Sequence, residues 1–180
     1  FHDPERTAEV LRSAGWLRTG DIGEIDADGY LRITDRKKEL LKTAGGKFIA
    51  PQPIENAAKL SRYVSEAVLI ADRRPYAILI VVPNFDSLHA WASKRGLAWT
   101  DAESLVGQSA VIEKLEREVA RRVEGFARFE QPKKVLPLAR ELSIESSEIT
   151  PTLKVKRRVV EERFRDRIEA LYAEPYTAHA

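Results

Sequence analysis

Cysteine and methionine are both absent from the 180 residues. Without cysteine there can be no disulfide, no thiolate metal ligand and no thiol catalysis within the chain, and a reducing compartment is compatible. The missing methionine places the natural start upstream, as an expectation, and FHDPERTAEV lacks the charged-then-apolar order of a secretory signal. Long apolar runs are missing too. The longest, around Val68–Ala71 and Ala77–Pro83, fall far short of the roughly 20 residues of a spanning helix, so no transmembrane segment is expected. One-sided charge is also lacking: 30 Lys and Arg against 28 Asp and Glu leave +2, too little to imply nucleic acid or an anionic membrane by itself. His2, His89 and His179 are dispersed and form no metal pattern.

What remains is 43% hydrophobic and 32% charged, the balance of a soluble globular protein. The length suits one domain, or one domain with a short piece of another attached. A short helix or turn around Pro4 precedes a strand-like segment opening at Gly15-Trp16, and Ile22, Ile25, Asp28-Gly29, Leu31 and Ile33 read as a hairpin. Gly45-Gly46, between Leu40-Leu41 and Phe48-Ile49, suggests a second hairpin or tight loop. Pro51 and Pro53 suit a helix entrance. SEAVLIAD and YAILIVVPN read as neighbouring strands buried on both faces. Phe85 to Ala92 has helical spacing, Thr100 with Glu103 makes a capping box for a short helix, and Val111 to Phe126 is amphipathic. KKVLPLA after Pro132 is a further strand, and SIESSEITPT a flexible connection. A single last helix runs from Lys154 and stops before Pro175. No internal repeat is evident. The pattern predicts an α+β (α/β-like) fold, a small mixed sheet flanked by helices behind a β-hairpin that looks like the end of something larger.

Chemistry could sit at Gly20-Asp21, along Asp35 to Gly46, or at Thr150 to Arg158. The first two have plain readings as a turn and as a solvated charged face with a hairpin bend. The third sets Lys156, Arg157 and Arg158 at an expected helix start, where each cation costs on the order of 0.3–1 kcal/mol unless compensated. Pairing with Glu161 and Glu162 would compensate, and is the plainer reading; an anion such as a phosphate near Lys154 is the functional one.

Taken in order, these segments resemble the adenylate-forming family of acyl-CoA synthetases, aryl-CoA ligases, luciferases and peptide-synthetase adenylation domains. Gly15-Trp16-Leu17-Arg18-Thr19-Gly20-Asp21 is similar to the family's W-x-x-T-G-D motif, and Asp35-Arg36-Lys37-Lys38-Glu39 to the hinge sequence after it. Lys42 through Pro51, ending in Ile54-Glu55, resembles the long-chain version of the loop after the hinge, and Thr150-Pro151-Thr152-Leu153-Lys154 the C-terminal lysine motif. Leu153 stands where many relatives with shorter or aromatic substrates have glycine, which leans toward the long-chain fatty-acid branch.

The resemblance implies a tail of an N-terminal adenylation domain with the hinge motif over 1–37, a C-terminal lid over 38–174 and a tail over 175–180. It implies a reaction in which ATP and a fatty acid give acyl-adenylate and pyrophosphate, and the acyl group then passes to the thiol of CoA. Asp21 would hold the ribose hydroxyls, Arg36 would assist at the ribose or phosphate side, and Lys154 would be the catalytic cation of adenylation. Lys38 would be the hinge, and Gly46 would let the backbone approach the pantetheine arm. Neither a Ser/Thr/Gly-rich phosphate loop ending in lysine nor a Tyr-Gly-x-Thr-Glu motif occurs, so the chain alone is expected to be inactive. Magnesium would arrive with ATP at residues outside the chain. The partners implied are fatty acid, ATP, CoA and the missing N-terminal domain; the setting is cytoplasmic, or peripheral at a membrane in the intact enzyme. A non-catalytic module contacting an acyl-carrier or CoA-bearing partner is the alternative. Nucleic-acid binding through Lys154 to Arg158 is a weaker rival, given the few aromatics and near-neutral balance.

Overall fold

A computed structural model describes residues 2–11, 15–36 and 39–174, with the backbone alone at residues 6 and 34–36. The chain divides into two compact units, Phe1–Leu40 and Leu41–Ala180.

The first unit holds a short helix, α1 (Pro4–Val10), and an antiparallel hairpin of β1 (Asp21–Ile25) and β2 (Leu31–Arg36). Strand pairing begins later than the sequence suggests: among the described residues the Gly15-Trp16 region contributes only an isolated bridge between Leu11 and Leu17. The register slips between Ile22 and Gly23. Glycine is required at 23 because a Cβ there would lie 2.9 Å from the Arg32 carbonyl oxygen. The turn is closed by Asp26, whose carboxylate accepts the N–H groups of Asp28 and Tyr30 at 3.0 and 2.9 Å. Trp16, Ile25, Tyr30, Leu31 and Ile33 are all exposed.

The second unit opens with a small hairpin, β3 (Leu41–Lys42) and β4 (Phe48–Ile49), followed by α2 (Pro51–Lys59) with proline in its first turn. The main sheet orders β5 (Val64–Ile70), β6 (Ile78–Pro83) and β7 (Lys134–Pro137), β6 central, antiparallel to β5 and parallel to β7. The crossover between the parallel pair carries α3 (Phe85–Lys94), α4 (Ala102–Val106) and α5 (Ser109–Arg122). Alternate sheet residues face opposite ways. Leu69, Leu79, Val81 and Val135 pack with Ile54, Leu88, Leu105 and Leu115 from α2 to α5. Val68, Ile70, Ile78, Ile80 and Leu136 pack on the other side with Val160 and Ile168. The α+β class with a mixed sheet between helices is thus the observed one.

Two local expectations are corrected. The capping box of α4 uses Asp101 and Ser104 rather than Thr100 and Glu103: the Asp101 carboxylate accepts the Ser104 N–H at 2.8 Å, and the Ser104 hydroxyl accepts the Asp101 N–H at 3.1 Å. The last helix is two helices, α6 (Arg157–Arg163) and α7 (Arg165–Ala173), meeting at Phe164, whose ψ of 17° interrupts the helical ladder.

Candidate functional site

Two short hairpins of the second unit carry the candidate residues there, and they are built alike. In the first, Ala44-Gly45-Gly46 links Thr43 to Lys47. Thr43 N–H donates to the Lys47 carbonyl at 2.9 Å, and Gly46 N–H to the Thr43 carbonyl at 2.9 Å. Lys47 N–H donates to the Thr43 hydroxyl at 3.1 Å. The third loop residue, Gly46, has φ +77°, the left-handed position of a three-residue hairpin loop.

In the second, Pro151-Thr152-Leu153 links Thr150 to Lys154. Thr150 N–H donates to the Lys154 carbonyl and Leu153 N–H to the Thr150 carbonyl, both at 2.8 Å. Lys154 N–H donates to the Thr150 hydroxyl at 3.0 Å, and Ile149 bridges Val155 just outside. The left-handed position is occupied by Leu153, φ +59°, with its side chain 70% exposed. A branched side chain there costs roughly 1–2 kcal/mol. Lys154 is exposed, and its ammonium has no side-chain partner among the described residues.

The stretch before Lys154 is far from a loose connection. Glu148 is wholly buried and draws Arg140, Arg163 and the Ser143 N–H onto its carboxylate. The Arg140 guanidinium holds this carboxyl below the usual range, against the opposing effect of burial. Its carbonyl accepts the Lys156 N–H at 2.7 Å, fixing where α6 begins.

Arg157 answers the question of the cationic helix start, with a partner the sequence reading missed. It pairs with Glu55 of α2, not with Glu161 or Glu162, and Nη1 also donates to the Leu69 carbonyl at 2.9 Å. Glu55 in turn accepts the Leu69 N–H at 2.7 Å. One guanidinium therefore fastens the residue three places after Lys154 to the helix that follows the Gly46 hairpin. That hairpin is anchored separately to the β5–β6 turn: Arg73 N–H donates to the Lys42 carbonyl at 2.7 Å, and Ala44 N–H to the Arg74 carbonyl at 2.9 Å. Glu162 is occupied by Arg165. At seven residues, α6 is too short to offer a helix-end anion site of its own.

In the first unit, Asp21 begins β1 directly opposite Arg36, the last residue of β2. Asp21 N–H donates to the Thr19 hydroxyl at 3.2 Å. The hairpin register thus brings together the two residues expected at the ribose. Lys38 lies outside the described residues. Both threonines stand inside the motifs quoted above, but the Thr-x-x-x-Lys spacing that the two hairpins share is the signal that marks them as braces; Glu55 and Arg157, 102 positions apart, leave no local signal.

The family model of the AMP-binding enzyme C-terminal domain matches residues 38–175. Human long-chain-fatty-acid–CoA ligase 6 is 38% identical over 175 residues, covering 95% of this chain and 25% of that protein. Mouse long-chain-fatty-acid–CoA ligase 5 is 39% identical, covering 94% of this chain and 25% of its own length. Among solved structures, the A-PCP didomain of a carboxylic acid reductase from Segniliparus rugosus in complex with AMP aligns with TM-score 0.72 and 30% identity, over 94% of this chain and 22% of that one. The chain therefore spans about a quarter of the length of these relatives.

Proposed function

Because the chain belongs to the AMP-binding enzyme C-terminal domain family, we propose that it is the lid of a long-chain fatty-acid–CoA ligase. The intact enzyme activates a fatty acid with ATP to acyl-adenylate and transfers the acyl group to CoA. The observation that carries this reading is Lys154: an exposed ammonium on a hairpin braced by Thr150 at its base and by Glu148 and Arg157 on either side.

Adenylation brings the substrate carboxylate against the α-phosphate, so negative charge gathers where two anions meet. A held cation offsets that charge more in the transition state than in the ground state. Lys154 is that group. Asp21, an acceptor-only carboxylate, takes the vicinal ribose hydroxyls, and Arg36 across the hairpin assists at the ribose or phosphate. Lys38 is the hinge. Rotation about it withdraws Lys154 and brings in the Gly46 hairpin, whose missing side chain leaves room for the pantetheine arm.

The exposed Trp16, Ile25, Tyr30, Leu31 and Ile33 support a large neighbouring domain, since a two-stranded hairpin presenting that much apolar surface is marginal by itself. In this reading magnesium comes with ATP, to residues of the neighbouring domain. No helix among the described residues is long and apolar enough to cross a membrane; a cytoplasmic setting fits the reading.

The test is Lys154→Ala in the intact enzyme. Adenylation, followed by pyrophosphate exchange, should fall by on the order of a hundredfold or more, while thioester formation from pre-formed acyl-adenylate persists. Equal loss of both steps would rule out the assignment.

A further inference from the structure

The two hairpins share the three hydrogen bonds that close their loops, and the match extends to the residue that ends each. Threonine opens both, and its N–H donates to the carbonyl of the lysine four positions on, at 2.9 Å for Lys47 and 2.8 Å for Lys154. The lysine N–H returns to the threonine hydroxyl, at 3.1 and 3.0 Å. The residue before the lysine is left-handed, φ +77° and +59°, and its N–H closes the turn on the threonine carbonyl at 2.9 and 2.8 Å. These shared bonds fix the same local backbone, so Lys47 leaves its hairpin as Lys154 leaves the other. Lys47 is exposed, with Nζ 5.8 Å from the ring centre of the half-open Phe129, and has no carboxylate partner among the described residues.

We propose that Lys47 is the phosphate-facing cation of the second half-reaction, as Lys154 is of the first. This rests on the lid reading, in which rotation exchanges the two hairpins at one site. In the thioester step the thiol sulfur attacks the acyl carbonyl carbon and the new C–S bond forms. The bond from that carbon to the adenylate oxygen breaks, AMP leaves with the electron pair on its phosphate, and the thiol proton passes to solvent. With Lys154 withdrawn, charge growing on the leaving phosphate lacks its former counter-ion. Lys47, one residue beyond Gly46, arrives with the incoming hairpin and supplies one. A point charge on a flexible stem suits a phosphate that is departing.

The experiment uses the intact enzyme with Lys47→Met, which keeps the aliphatic stem, and Lys47→Arg, which keeps the charge. Transfer from pre-formed acyl-adenylate to CoA should slow on the order of tenfold or more in Lys47→Met, with adenylation changed less than about twofold and transfer largely restored in Lys47→Arg. Repeating the transfer with pantetheine separates the two phosphate sources. A defect with both thiols places Lys47 on the adenylate phosphate, the expected result, and a defect with CoA alone places it on the phosphates of CoA. Unchanged transfer to both thiols, or an equal fall in adenylation, would overturn the proposal. Failure of the lid reading is distinguishable, because the wild-type enzyme would then form neither acyl-adenylate nor acyl-CoA.

Discussion

Glu148 takes the Arg140 guanidinium at two points, 2.6 and 2.8 Å, with its carboxylate fully shielded from solvent. The pair lies at the base of the Lys154 hairpin, so acid should loosen that region. Glu148 has a lower pKa folded than unfolded, so the unfolded chain binds the extra proton. Its stabilisation is complete above the unfolded value, about 4.3, and is lost as pH falls through the folded one. In urea titrations between pH 7 and pH 3, wild type should lose more stability than Glu148→Gln. At neutral pH the variant should already be weaker by about 1–3 kcal/mol.

Arg157 and Arg158 are adjacent in sequence and unequal in consequence. Arg157→Ala strands the Glu55 carboxylate, 12% exposed in its side chain, and should cost about 3–5 kcal/mol. Arg158 is exposed, and Arg158→Ala should change stability by less than about 0.5 kcal/mol. Thermal melts of the two variants side by side make the comparison.

Leu153→Gly should stabilise the chain. Relief of the left-handed backbone is worth about 1–2 kcal/mol, offset by roughly 0.5–1 kcal/mol of added unfolded-state entropy, and the exposed side chain surrenders little packing. The midpoint of urea unfolding should move upward; a downward shift would show that the leucine side chain contributes packing which its exposure conceals.

Gly46→Ala separates backbone from space. No atom lies within 4 Å of the added Cβ, so the stability cost is the conformational one, about 1–2 kcal/mol. The chain should still fold, while transfer to CoA in the intact enzyme falls more than adenylation does.

Local patterns carried most of the fold. The turn residues at Asp28-Gly29 and Gly45-Gly46, the proline entrance to α2 and the apolar runs of β5 and β6 each announce their element over a few positions. The motif resemblance likewise singled out Asp21 and Arg36 before the register set them opposite each other. What stayed hidden is long-range or finely balanced. The polar stretch around Glu148 reads as a loop because burial by two arginines from other segments has no periodicity. The break at Phe164 is masked by uninterrupted helical spacing from Val160 to Ile168. Asp101 prevails over Thr100 at the α4 cap as a charged acceptor one residue closer to the helix.

The helices that follow Lys154 are also the cover of one whole side of the main sheet, where Val68, Ile70, Ile78 and Ile80 depend on Val160 and Ile168 for shelter. A chain ending soon after Lys154 would retain the lysine yet expose an oily plane flanked by strand edges, a surface suited to sticking to its own kind. A chain cut just after Lys154 should therefore appear in inclusion bodies, not as soluble but inert protein. The helices that follow the lysine cannot be shed without exposing that face.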